Sequence, residues 1–410
     1  MMKNTSRWIG AMVGIAALIG ATCAVAQDWP QWRGINRDGK VAKFVAPKTW
    51  PQTLTQKWKV AVGTGDSTPA LVGEKLYVFT RQGDDEVTLC LDAAGGKEIW
   101  RDKYAAQPVT GAPSSHPGPR SSPTVANGRV VTLGVGGILS CLDAATGKLM
   151  WRKDEFPKVV PMFFTAMSPI IVDKLVIAHL GGKGNGAVEA FDLGTGNVKW
   201  KWTGDGPAYA SPMVMTVGGV KQAVVQTESN LVGLALVDGK LLWQIPTPAE
   251  RRFYNSATPI IDGQTVIYTG QGQGTKAVRI EKQGDAYSIK ELWNNPQVGS
   301  GFSTPVLRDG LLFGINDKGS IFCLDAKTGQ AAWIDTATRR ENYGGIVDAG
   351  SVIFALPTSS ELIVFKPNAK AYEEVARLKV AETPTYAYPI IAGKRVFIKD
   401  QESLALYMIP

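Results

Sequence analysis

Histidine is almost missing from this chain: two residues in 410, His116 and His179. It is the side chain whose charge changes closest to neutral pH, and the commonest metal ligand. Chemistry built on it therefore has little to draw on. Cysteine is scarce too, with four residues, no adjacent pair, and no Cys-x-x-Cys or His-x-x-x-His spacing. That removes the usual zinc spacings, haem attachment and a redox dithiol. No apolar run is long enough for a stable membrane span. Basic residues exceed acidic ones by 44 to 36 without forming a cluster, so nucleic acid is not an expected partner.

Residues 1–26 have the composition of a cleaved export signal. Lys3 and Arg7 precede an apolar run from Ile9 to Ile19, and Ala24-Val25-Ala26 offers small residues for cleavage before Gln27. Cys23 lacks the leucine three residues before it that a lipidated cysteine prefers, and cleavage after Ala26 discards it. The expected location is periplasmic or secreted. The remaining Cys90, Cys141 and Cys323 each stand one residue before Leu-Asp-Ala. Equivalent positions in separate repeats lie too far apart for disulfides, so these read as small buried apolar side chains.

What the chain has in abundance is a repeated phrase. Leu91-Asp-Ala-Ala-Gly-Gly-Lys-Glu-Ile-Trp100 recurs as Leu142 to Trp151, Phe191 to Trp200 and Leu324 to Trp333, with weaker copies ending at Trp243 and Trp293. From Trp58 the tryptophans step by 42, 51, 49, 43, 50 and 40 residues. A period of 40 to 50 residues built from short strands marks a β-propeller. Each repeat opens on Ser/Thr-Pro, as in Thr68-Pro69, Ser122-Pro123, Ser168-Pro169, Ser211-Pro212, Thr258-Pro259 and Thr304-Pro305; proline is tolerated at the first residue of a strand. Asn127-Gly128, Asp262-Gly263 and Asp309-Gly310 then signal hairpins. Four antiparallel strands per repeat make one blade.

The count predicts an all-β, eight-bladed propeller over residues 54–410, with a degenerate blade at 345–375. Three strands at the C-terminus await a fourth, supplied by Leu54 to Val62, so that the last blade is closed by the N-terminal strand. Seven blades is the alternative if 345–375 is an elaboration. Residues 27–53 carry Trp29, Trp32 and Trp50 outside the blade pattern and are expected to pack on the propeller.

This repeat resembles the pyrroloquinoline-quinone (PQQ) type propeller repeat. The phrase Asp28-Trp29-Pro-Gln-Trp32-Arg33-Gly34-x-Asn36-Arg37-Asp38-Gly39 resembles the start of a group of exported bacterial PQQ-like propellers. So do Pro117 to Pro123 and Gly204 to Pro212. The resemblance implies the fold directly. For activity it implies two relatives: the non-catalytic propeller lipoprotein of the outer-membrane β-barrel assembly machinery, and the quinoprotein dehydrogenases. The latter use PQQ as hydride acceptor, Ca²⁺ to polarise it and an Asp base. Many large members carry adjacent cysteines under the cofactor, absent here.

The loops before each Ser/Thr-Pro should ring one channel mouth. They bring His116, Arg120, Phe164, Tyr209, Tyr254, Asn255, Phe302, Glu341, Asn342, Tyr343, Tyr386 and Tyr388. Aromatic faces with polar tips suit a peptide, glycan or flat ring. The insertion at 102–120 is placed to cover part of this mouth. The glycine-rich stretches 181–186 and 270–274 lie between strands and read as hairpin turns. The repeated Asp92, Asp143, Asp192 and Asp325 read as holding their own turns. The resulting expectation is a monomeric, exported binding or scaffold propeller with a protein or glycan partner in the cell envelope and no cofactor. A PQQ- and Ca-dependent dehydrogenase is the alternative. A carbohydrate-active propeller comes third, and would require paired carboxylates about 5–10 Å apart.

Overall fold

The computed structural model describes residues 28–248, 254–337 and 342–410. Among them, 32 strands form eight four-stranded antiparallel sheets. Blades 1 to 7 span residues 70–105, 124–153, 170–202, 213–246, 260–295, 306–334 and 344–379. Blade 8 pairs Ile390–Ala392, Arg395–Lys399 and Ser403–Met408 with Thr55–Ala61 from the other end of the chain. Joining the termini in one sheet closes the ring and buries an edge that would otherwise template further pairing.

The weak repeat is a regular blade, not a degenerate one: Gly344–Asp348, Ile353–Pro357, Glu361–Phe365 and Glu374–Lys379. It is hard to see in the sequence because its outer strand has Ala376, opposite Val364, where the other seven blades have tryptophan. In those blades the tryptophan faces the third-strand residue beside a β-bulge, as in Cys90↔Trp100 and Cys141↔Trp151. The three cysteines are buried and unbridged.

Each tryptophan belongs to the seam with the next blade. Trp58, Trp100, Trp151, Trp200, Trp293 and Trp333 donate Nε1–H to the carbonyls of Ala93, Ala144, Leu193, Leu236, Ala326 and Asn368, at 2.8–3.2 Å. Trp243 differs, donating to Gln222 Oε1 within its own blade. The indole lies flat against the glycine of the next Asp-x-x-Thr-Gly turn. A Cβ on Gly147 would come within 2.6 Å of Trp100, and one on Gly196 within 2.7 Å of Trp151. The Asp of that turn holds it: Asp143 Oδ1 accepts from the Ala145 and Thr146 amides and from the Thr146 hydroxyl. The repeated phrase is thus a turn and the socket for its neighbour's indole.

At the inner end, a second set of bonds runs around the channel. The amides of Thr68, Ser122, Ser168, Ser211 and Thr258 each donate to the hydroxyl of the next blade's Ser or Thr, at 2.9–3.0 Å. Blade 7 supplies no hydroxyl. Tyr388 of blade 8 bridges that gap, its hydroxyl accepting from Thr304 N at 3.3 Å and its amide donating to Thr68 Oγ1 at 2.9 Å. Gly345 makes room, since a Cβ there would lie 2.9 Å from the Tyr388 backbone.

Residues 29–41 lie across the inner strands on the far side of this ring. Trp29 exchanges backbone bonds with Leu71, and Pro30 O accepts from Val125 N. Buried Arg33 donates to Pro305 O at 2.7 Å, and buried Arg37 to Ser168 O and Pro169 O at 2.9 and 3.1 Å. Asp348 exchanges backbone bonds with Gly39 and Val41. Inner-strand groups that face the channel without a ladder partner are thereby satisfied.

Gly147→Ala is expected to destabilise the protein by about 1–3 kcal/mol, because the site combines φ +75° with contact against an indole. Urea unfolding measures it. Gly128→Ala, at a turn of similar φ with open space around it, should cost distinctly less.

Candidate functional site

One end of the channel opens into a cavity of about 480 Å³, within the range of small-molecule sites. Its depth is lined by the hydroxyl ring: Thr68, Ser122, Ser168, Ser211, Thr258, Thr304 and Tyr388. The ring uses each Ser/Thr hydroxyl as an acceptor, and a hydroxyl also carries one donor, so six O–H groups remain unspent by it. Trp32, from the N-terminal segment, also lines the cavity and meets Tyr388 edge-on, with ring centroids 5.8 Å apart.

Two aromatic walls rise from this base. Phe163, Tyr209 and Tyr254 form one, in mutual edge-to-face contact at 4.9–6.2 Å. Phe302 and Tyr343 stack at 4.2 Å in the other, and Tyr386 stands edge-on to Tyr343. Such edge-to-face and stacked pairs are the arrangements aromatic quadrupoles favour. The Tyr209 hydroxyl accepts the Phe163 amide at 3.1 Å, fixing that wall.

The 102–120 insertion provides the charged side. Pro119 O accepts the amides of Asp66 and Ser67, laying the insertion's end on the entry to blade 1. A short 3₁₀ turn, Ala112–Ser115, contributes Ala112 and Pro113 to the cavity. His116 Nδ1 lies 2.8 Å from Asp66 Oδ2, and its ring meets Tyr386 edge-on at 4.8 Å. The hydrogen bond to Asp66 holds the imidazole above its ordinary pKa, against burial and the nearby Arg120. Arg120 donates Nη2–H to His116 O at 2.8 Å, while its buried Nη1 has no partner. Burial lowers the Arg120 pKa, with Asp66 opposing. The other histidine, His179, is fully buried, and desolvation pushes it down to about 4, so it stays neutral.

Of the residues expected at the mouth, His116, Arg120, Tyr209, Tyr254, Tyr343 and Tyr386 line the cavity together with Phe302. Asn255 does not: its amide donates to the carbonyls of Thr227, Glu228 and Thr247 and ties the blade 4–5 loop. Asn342 is likewise turned to Asp317 O. Glu341 lies outside the described residues. Phe164 is replaced by its neighbour: Phe163 faces the cavity, while Phe164, at φ +64°, is buried. Asp66, Phe163 and Trp32 were not expected at the mouth. Trp32 had a signal, as a tryptophan outside the blade pattern.

A calcium-assisted quinone would need a cation site, and Ca²⁺ takes six to eight oxygen ligands, mostly carboxylate and carbonyl. Among the described residues the acidic side chain lining the cavity is Asp66, already bonded to His116 and beside Arg120. This donor set does not fit Ca²⁺.

The fold and mouth define a PQQ-type eight-bladed propeller with a ligand-sized aromatic and hydroxyl-lined pocket. The chain belongs to the outer membrane protein assembly factor BamB family, whose sequence pattern matches residues 37–201 and 84–335. It is 25% identical over 367 residues to outer membrane protein assembly factor BamB of Burkholderia pseudomallei, covering 85% of this chain and 86% of that one. The same-named protein of Xanthomonas campestris is 26% identical over 378 residues, covering 85% of each. A quinohemoprotein alcohol dehydrogenase of Pseudomonas putida matches 33% of this chain and 21% of its own length at 28% identity. Among solved structures, BamB from Moraxella catarrhalis superposes with a TM-score of 0.63 at 13% identity, covering 87% of this chain and 98% of that one. A europium-containing methanol dehydrogenase gives 0.71 at 14%, covering 91% and 89%. At these identities the superpositions speak for the fold alone.

The His116 contact carries a pH signature. With its folded pKa raised above the unfolded value of about 6.5, its stabilisation is complete below that pH and is lost as pH rises through the folded value. An NMR titration should therefore place His116 above 6.5, and Asp66→Asn should bring it down. Separately, millimolar Ca²⁺ should leave Tm unchanged, since no linkage stabilisation arises without a site.

Proposed function

We propose that this protein is an exported, non-catalytic binding propeller of the cell envelope that recognises a protein, peptide or glycan at its channel mouth. The observation that carries the reading is the cavity itself: two aromatic walls, an unspent hydroxyl ring and an unpartnered guanidinium arm, all converging on one volume. Buried aromatic anchors with a few placed polar groups are the features of binding hot spots. The relatives' name, outer membrane protein assembly factor, supports a scaffold acting on other envelope components. Among the described residues no helix is long and apolar enough to cross a membrane.

Tyr254 and Phe302 take part in neither the hydroxyl ring nor the tryptophan seams, so their substitution should be tolerated. Tyr254→Ala with Phe302→Ala should abolish capture of the envelope component that crosslinks to the wild-type protein in intact cells, while Tm stays within a few degrees. Unchanged capture by this double variant would locate recognition elsewhere on the propeller. The intact mass of the exported protein should correspond to a chain starting at Gln27. A mass showing a lipid on Cys23 would instead make it an anchored lipoprotein.

A further inference from the structure

Among the described residues Asp66 is the acidic side chain lining the cavity, with Asp317 behind Gly301 and Glu228 near Tyr209 further out. Asp66 has three cationic groups around it. His116 is bonded to it, Arg120 lies near it, and the buried ammonium of Lys399, held by Gly65 O and Asp400 O, feels its field from behind. Asp400 is engaged by Lys59 at 3.2 Å. Glu86, the other carboxyl near Arg120, is deeply buried, accepts from Tyr104 and the Val135 amide, and is held towards its neutral form by that burial.

More charge lies beneath the cavity. Arg33 and Arg37 are 1% and 2% exposed, and both guanidinium carbons sit over the Trp32 ring, 5.5 and 5.7 Å from its centroid. Their hydrogen bonds go to carbonyls and to Gln31 rather than to any carboxylate, and both Nε atoms are unpartnered. Burying a guanidinium without an ion pair is costly, and the Trp32 ring over which both lie is itself part of the cavity lining.

We propose that this cavity binds a sugar ring bearing a carboxylate, a single residue of an acidic glycan. The carboxylate lies on the guanidinium of Arg120, which lines the cavity and has an Nη1 without a hydrogen-bond partner. The ring's flat faces lie between the Phe163–Tyr209–Tyr254 wall and the Phe302–Tyr343 pair, and its hydroxyls meet the Ser/Thr ring. A planar guanidinium suits a carboxylate, and a circle of small hydroxyls offers short-range donors to a polyol where an apolar ligand would leave them unmet. The assignment rests on the channel mouth being the ligand site.

The test is calorimetric titration of the mature protein with methyl β-D-glucuronide, with methyl β-D-glucoside, benzoate and an acetylated aspartyl dipeptide alongside. The glucuronide should bind at about millimolar affinity, as befits a fragment, and the neutral glucoside at least about tenfold more weakly, since a charged hydrogen bond is lost. Binding should weaken with added salt. Arg120→Gln should remove the preference for the glucuronide over the glucoside, with Tm preserved. Arg120→Lys, which keeps the charge, should retain part of it. Equal binding of glucuronide and glucoside overturns the proposal, as does an unchanged preference in Arg120→Gln. Binding of benzoate or the dipeptide without the glucuronide overturns the sugar. If the glucuronide fails while Tyr254→Ala/Phe302→Ala still abolishes capture, the acidic-sugar assignment falls and the mouth remains the binding site. If neither behaves as expected, both readings fall.

Discussion

The structure depends on closing a circle at its narrowest radius. Eight sheets converge on a narrow channel, and the amide of the Ser or Thr that leads into most inner strands has no partner in its own sheet. Small hydroxyls solve both problems: each is compact, and each accepts the amide of the preceding blade. One blade breaks the pattern, and Tyr388 reaches across it over Gly345. At the outer radius the blades diverge, and the space is filled by indoles laid against glycines. The two devices are the same requirement, inter-blade contact, met at two widths.

The cavity at the mouth follows from that closure. The hydroxyls that hold the ring also form the cavity's lining, so its polar groups come from residues the fold already requires. The N-terminal segment then seals the channel from the other side and leaves Trp32 as part of the cavity surface. Arg33 and Arg37 there satisfy inner-strand carbonyls and stand over the Trp32 ring.

The same propeller body serves assembly factors and quinone dehydrogenases, so fold likeness does not choose between them. The choice lies in a few loop residues. Among the described residues these are aromatic, hydroxyl and cationic, with one lining carboxylate already bonded to His116. That donor set is unsuited to calcium.

The repeat, the blade count, the closure by Leu54 to Val62 and the Asp-x-x-Thr-Gly turns were all legible in the order of residues, because period-two strands and turn residues act over a few neighbours. Even the blade with the weakest repeat was countable, despite Ala376 and Gly345 standing where its neighbours carry tryptophan and a hydroxyl. About half of the mouth was legible too: the aromatic and charged residues next to each Ser/Thr-Pro. What the chain order did not contain was side-chain direction in irregular loops. Phe163 and Phe164 are adjacent, and the left-handed backbone at Phe164 decides which one faces the cavity. Asn255 turned to three carbonyls that lie 8 to 28 residues away. The pairing of Asp66 with His116 spans 50 residues, and Trp32 meets Tyr388 only after the circle closes. Local propensity sets strands and turns, whereas the cavity is made of contacts between residues that become neighbours only when eight sheets share one axis.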